Sequence, residues 1–274
     1  MLYKFTIIFF ISITIGFSYC ANAQESKSNE LPTQYFYKAV ELYDAGNYQA
    51  AQIAARNYLT LARTEAVKKT QAEFIDASSS LRIGESVGIE RMEQFIRNQT
   101  GPGQASNAYS EIGNYWYIKQ QYAKASTVYQ KITWTYLDNR QQMQGRFQWG
   151  YALFTEKKLK EAKEQFNQVK RGNHEFVSPA CYYAGFIALS EGNYEDAIVD
   201  LQLAEKNSSY QSIVPFLLAT AYFKQNEYVK LIAYTTPLFS KDDLKNKREV
   251  GILTAESHFQ LKEYAKAAEL YLTY

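Results

Sequence analysis

The phrase Gly-Asn-Tyr-x-x-Ala occurs twice in this chain, at residues 46–51 and 192–197, and degenerate relatives of it recur in between and beyond. Aligned on the closing alanine, the copies fall at Ala51, Ala125, Ala162 and Ala197, then at Leu231 and Ala267. The steps are 74, 37, 35, 34 and 36 residues; 74 is twice 37, so one more degenerate unit is expected between the first two, over roughly residues 69–100. A period of this length is the mark of a helix-turn-helix solenoid, whose units are too small to bury an apolar face alone and so stack on their neighbours.

The residue types follow from that geometry. Gly46 and Gly192 stand where a first helix must end, and glycine takes positive φ at little steric cost. Gly113, Gly150 and Gly185 fall inside first helices, where each costs about 1 kcal/mol relative to alanine, so close packing against the second helix is the expected compensation. Ala51, Ala125, Ala162, Ala197 and Ala267 occupy the facing position, and Tyr48, Tyr122, Tyr194, Tyr228 and Tyr264 cap the corner with apolar area. Only 13 Gly and 5 Pro interrupt a chain rich in Ala, Gln, Glu, Lys and Tyr, which favours helices over a many-turned β-protein.

With these residues in register, the chain resembles the tetratricopeptide repeat family. The best copy runs Tyr109, Ile112, Gly113, Trp116, Tyr122, Ala125, Tyr129; others read Trp149, Gly150, Leu159, Ala162, Phe166 and Ala184, Gly185, Tyr194, Ala197, Leu201. The resemblance covers residues 32–274 and implies an all-α fold, a right-handed superhelical solenoid of about seven antiparallel helix-turn-helix repeats. It departs from the family pattern in lacking the proline that usually closes each unit, in Leu231 at a small-residue position, and in the second unit, which matches only around Gly84 and Gly88. The stretch Asn98–Ser106, with two glycines around Pro102, is expected to be a loop between the second and third units within one domain.

The first residues read as a targeting signal. A short cationic start at Lys4 precedes the apolar run Phe5–Phe17, and Ala21-Asn22-Ala23 fits small-residue cleavage before Gln24. Export to the periplasm or outer membrane of a bacterial envelope is expected, with residues 1–23 removed, residues 24–31 flexible, and no transmembrane segment thereafter. A retained anchor and lipid attachment at Cys20 are the alternatives. Cys181 is then the single remaining cysteine, in an apolar helix and expected in the core.

Thirty basic against 28 acidic residues give no electrostatic footprint for nucleic acid. His174 and His258 are the only imidazoles, and no metal-binding or nucleophile motif is present, so neither catalytic residues, metal nor cofactor is expected.

Binding is the expectation instead. Projected at 3.6 residues per turn, the first helices present Phe36 and Tyr43, then Asn114 and Tyr117, then Phe147, Tyr151 and Phe154. Tyr182 and Phe186, Phe216 and Phe223, and Phe259 continue the strip. The resemblance places such residues on a concave groove, here aromatic rather than lined by the Lys, Arg and Asn with which chaperone-docking members hold a peptide carboxylate. An adaptor for a protein or peptide segment in envelope assembly or secretion is the favoured function. A glycan-binding module on the same scaffold, or the repeat portion of a larger protein, are the alternatives. The last helix, ending in Leu270, Tyr271, Leu272 and Tyr274, is expected to continue into further sequence, to dock on a partner or to self-associate.

Overall fold

The computed structural model describes residues 31–61, 66–98 and 101–274. The signal segment and its cleavage site lie outside these residues. Among the described residues there are fourteen α-helices and no strand. They pair as α1 (31–44) with α2 (Tyr48–Leu61) and α3 (Ala66–Arg82) with α4 (Gly88–Asn98); α5 (Pro102–Ile118) and α6 (Tyr122–Tyr129) follow along the chain. Next come α7 (Asn139–Thr155) with α8 (Leu159–Val169) and α9 (Val177–Ser190) with α10 (Tyr194–Glu205). The last two pairs are α11 (Val214–Lys224) with α12 (Tyr228–Thr235) and α13 (Lys247–Gln260) with α14 (Tyr264–Thr273).

Every corner is built the same way. The residue at positions 46, 84, 120, 157, 192, 226 and 262 has positive φ, between 57° and 80°. Its N–H, and that of the residue after it, turn back onto the last carbonyls of the first helix: Gly46 N donates to Tyr43 O at 2.9 Å and Asn47 N to Leu42 O at 2.8 Å. Lys157 and Lys158 repeat this onto Phe154 and Leu153, and Lys262 and Glu263 onto Phe259 and His258. This is the Schellman arrangement, which satisfies carbonyls that a helix end would otherwise leave bare. Glycine fills only three of these sites; Gln120, Lys157, Asn226 and Lys262 adopt the left-handed conformation despite carrying a Cβ.

Two columns of small residues register on these corners. Seven residues before each stand Ala39, Ala77, Gly113, Gly150, Gly185, Ala219 and Ala255, all buried. Five residues after stand Ala51, Ala125, Ala162, Ala197 and Ala267, at most 2% exposed, with Leu231 fully buried in the sixth hairpin. Gly150 and Gly185 pack closely against the second helix, each making room for a large side chain of it. A Cβ on Gly150 would lie 2.8 Å from the Phe166 ring, and one on Gly185 2.8 Å from Leu201. Where the first column holds Ala39 or Ala219 instead, the matching residue on the second helix shrinks to Ala55 or Thr235. In these four pairs bulk on one helix is balanced against the other, as close packing favours, whereas Ala255 and Tyr271, in the same register, are not so matched.

The second hairpin keeps the corner and loses the alanine. Gly84 N reaches Leu81 O at 3.2 Å and Glu85 N reaches Ser80 O at 3.0 Å, but α4 starts only at Gly88. Gly88 lies so close to the Leu81 backbone that a Cβ there would stand 2.7 Å from Leu81 Cα. The expected loop of residues 98–106 is shorter than anticipated, because α4 runs to Asn98 and Pro102 opens α5. Proline suits a first helical position, where its missing N–H has no partner to lose.

The helices gather into two compact units, dividing between Tyr115 and Trp116 inside α5 rather than at that break. In the first unit Phe36, Ala39, Ala51, Ala55, Tyr58 and Ile75 form the core. In the second, one cluster centres on Leu153, Phe166 and Ile187, and another on Leu201, Leu218 and Leu231.

Candidate binding surface

Five of the aromatics assigned to the groove stand three residues before a corner: Tyr43, Tyr117, Phe154, Phe223 and Phe259. Two residues after it the second helix opens with Tyr48, Tyr122, Leu159, Tyr228 or Tyr264. Four of these pairs repeat one geometry, with ring centroids 5.5, 5.8, 5.6 and 5.3 Å apart at 68°, 67°, 63° and 64°. Edge-to-face contacts of this kind contribute about 0.5–1.5 kcal/mol beyond the area they bury. Local corner packing therefore explains part of each of these residues. Phe36 leaves the groove altogether: it is 5% exposed and packs on Tyr58 at 5.4 Å, because its turn of α1 faces the core of the first unit.

In the second unit the rings also join from hairpin to hairpin. Tyr151 of α7 meets Tyr117 at 5.8 Å and Tyr122 at 5.5 Å, then Tyr183 of α9 at 5.3 Å. Tyr183 meets Phe154 at 5.1 Å, and Phe154 meets Phe186 at 5.8 Å. Phe147 and Tyr182 flank the same ring, at 6.3 and 5.2 Å. Tyr183, the hub, is absent from the projected strip. Helix α9 is apolar on nearly every side, with Ala180, Cys181, Ala184, Ile187 and Ala188 fully buried, so no polar face existed from which to subtract a groove face. The signal available was its position two residues before Gly185, which sets its ring on Phe166 at 5.5 Å and 17°.

Exposure grades along this surface. Phe186 is 38% and Phe259 49% exposed, whereas Tyr117, Phe147, Tyr151, Phe154, Tyr182, Phe216 and Phe223 are half-buried. Tyr43 and Asn114, also half-buried, belong to the first unit. Burial pushes the Tyr117 phenol up to about 12, helped by the neighbouring Tyr151 and Tyr122 phenols. Burial likewise raises Tyr122, Tyr182 and Tyr183. The connected rings from Tyr117 to Phe186 are thus an uncharged, amphipathic surface at neutral pH.

His258 is 8% exposed with Nδ1 paired to Glu263, and His174 Nε2 lies 3.1 Å from the Arg171 carbonyl. Burial pushes the Cys181 thiol up to about 11, far from the thiolate a nucleophile needs. Among the described residues no group of three or more His, Cys, Asp or Glu side chains is placed to hold a metal ion. No helix among them is long and apolar enough to cross a membrane.

No protein-family model matches this sequence. No curated protein matches it either. Solved structures do: the chain is similar to a tetratricopeptide repeat protein from Parabacteroides merdae at 12% identity, with a TM-score of 0.50 over 89% of this chain and 92% of that one. It is similar to PilF from Pseudomonas aeruginosa at 15% identity, with a TM-score of 0.52 over 90% of this chain and 100% of that one. At such identities what is shared is the fold, and the fold of this chain is the tetratricopeptide repeat.

Proposed function

We propose that this protein is a non-enzymatic scaffold, exported to the bacterial cell envelope, that holds an apolar segment of a protein partner against the first-helix aromatics of its second unit. The observation that carries the reading is the run of touching rings from Tyr117 through Tyr151, Tyr183 and Phe154 to Phe186, which ends in a ring 38% exposed. Rigid aromatic side chains give large contact area at small entropic cost, so a preformed strip of them suits recognition of an extended or helical apolar peptide. Stacked hairpins supply such strips from packing side chains alone.

The test is an array of short peptides graded from apolar to charged, probed with the wild type and with Tyr151→Ala plus Phe186→Ala. Apolar peptides should be retained by the wild type and lost, about tenfold or more, by the double variant. Equal retention by both proteins overturns the assignment. Export is tested separately: N-terminal sequencing of the secreted or envelope fraction should read from Gln24, and a start at Met1 contradicts it.

A further inference from the structure

Two cavities open side by side in the first unit, with Phe95 of α4 in the wall of both. They differ in chemistry. The smaller, about 280 Å³, is lined by Glu73, Asp76 and Arg91, and its charges answer one another: Arg91 Nη1 lies 3.4 Å from Asp76 Oδ1, which also accepts from Arg56 Nε at 2.7 Å. This cavity is a wall of the salt-bridge cluster that ties α2, α3 and α4 together.

The larger cavity, about 370 Å³, has no such occupation. Val67, Gln71 and Phe74 of α3 face Phe95 of α4 and Gln104 and Asn107 of α5, and none of the described lining residues carries a charge. Phe74 and Phe95 meet edge to face at 5.6 Å and 63°, which fixes two ring orientations in the apolar wall. Phe95 is 4% exposed and Phe74 half-buried, held from behind by Tyr43 at 6.3 Å, so the wall is preformed rather than assembled on binding. Around it stand the carboxamides of Gln71 and Gln104, which can donate and accept hydrogen bonds without favouring either sign of charge, and that of Asn107, whose Nδ2 already donates to the Gly103 carbonyl at 3.0 Å. The volume lies at the lower end of the range of small-molecule sites, and an apolar interior with a few polar groups at its edge is their usual make-up.

We propose that this cavity between α3, α4 and α5 is a binding site for an uncharged, mostly apolar ligand of one or two rings. The rings would pack on Phe74 and Phe95, and any polar edge would face the carboxamides. A carboxylate or ammonium ligand is disfavoured, since the described lining offers no countercharge and desolvation of the ion would go uncompensated. The site lies wholly in the first unit and does not depend on the aromatic strip of the second.

The test uses the full chain and the neutral fluorophore N-phenyl-1-naphthylamine, titrated by its emission increase. Wild type should bind it saturably. Val67→Arg places a cation at a lining position whose side chain is 82% exposed, so folding is spared while the cavity is charged and filled. That variant should weaken binding tenfold or more with an unchanged melting temperature, whereas Val229→Arg, at an exposed position of the second unit outside the strip, should leave it unaltered. Absence of saturable binding to the wild type overturns the proposal. So does binding that Val67→Arg leaves intact, which would place the fluorophore elsewhere. If Phe186→Ala alone abolishes binding, the aromatic strip is the site and this proposal fails while the proposed function stands.

Discussion

The two units join their hairpins with different balances of polar and aromatic contact. In the first, α3 and α5 are joined by Arg82, which forks onto Glu111 at 2.8 and 2.6 Å and reaches back to the Tyr48 hydroxyl at 2.7 Å. Tyr43 shares a hydrogen bond with Ser78 at 2.7 Å, and Ser78 donates to Glu111 at 3.1 Å. Arg56 and Arg91 bracket Asp76 and Glu85 below. In the second unit, the successive first helices α7 and α9 meet through the rings of Tyr151, Phe154, Tyr183 and Phe186. Ser78 and Tyr151 each stand six residues before their corner, so the same register carries a hydroxyl in one unit and a phenol in the other. The lesson is that the corner and the small-residue columns set the architecture, while the residues between them are free to make an interface polar or aromatic.

The largest expected effect attacks the aromatic side of this contrast. Phe166 is fully buried, fills the space over Gly150 and backs Tyr183. Phe166→Ala should cost about 3–5 kcal/mol. Trp116, Trp134 and Trp149 are the three tryptophans and all lie in the second unit, so thermal melts followed by tryptophan emission should shift down sharply.

On the polar side, Glu111→Gln strips the charge from the Arg82 fork and should cost about 1–3 kcal/mol. Amide hydrogen exchange should rise in α3 while tryptophan emission is nearly unchanged. Raising NaCl to 1 M should weaken the wild-type first unit and narrow this difference, since the pair is partly exposed. An equal loss of exchange protection in both units would show that the contrast has no energetic content.

Alkali should act more gradually. Tyr117 and Tyr43 are both raised to about 12 by burial, above the ordinary phenol value. A raised folded value means the native state holds the proton longer than the unfolded one, so the stabilisation is complete below about pH 10 and fades as pH climbs toward 12. Burial raises Tyr122, Tyr182, Tyr183 and Tyr210 as well, so the second unit should give way first. Phenolate absorbance rising together with a tryptophan emission shift is the expected record. Phenolate absorbance completing near pH 10 with no structural change contradicts it.

The smallest effect lies at the corners, which the units share. Lys157→Gly relieves a left-handed conformation held by a residue with a Cβ and should stabilise by about 0.5–1 kcal/mol, seen as a rise of a few degrees or less in melting temperature. No gain, or a loss, would mean that the lysine side chain makes a compensating contact.

The period and the buried alanine column were legible in the sequence because a small residue recurs at one register, where Ala125, Ala162 and Ala197 are fully buried. The second hairpin was legible only as a gap, since delaying the start of α4 to Gly88 removes the alanine from register while leaving the Gly84 corner intact. The left-handed corners at Gln120, Lys157, Asn226 and Lys262 were not legible, because no residue type announces them and the hydrogen bonds that impose them are between main-chain atoms. The strip itself was read partly. Helical projection finds which way a side chain points from its own axis, not whether a neighbour will cover it. Phe36 was therefore taken for groove, and Tyr183, whose ring spans α7 and α9, was overlooked.

Those main-chain corners carry a wider implication. A bend tied through peptide groups is indifferent to the identity of its side chains, and paired columns that trade bulk against bulk tolerate many spellings of one shape. The shape can thus be written in very different residues, and this chain shares it with proteins to which it is identical at about one residue in seven or eight.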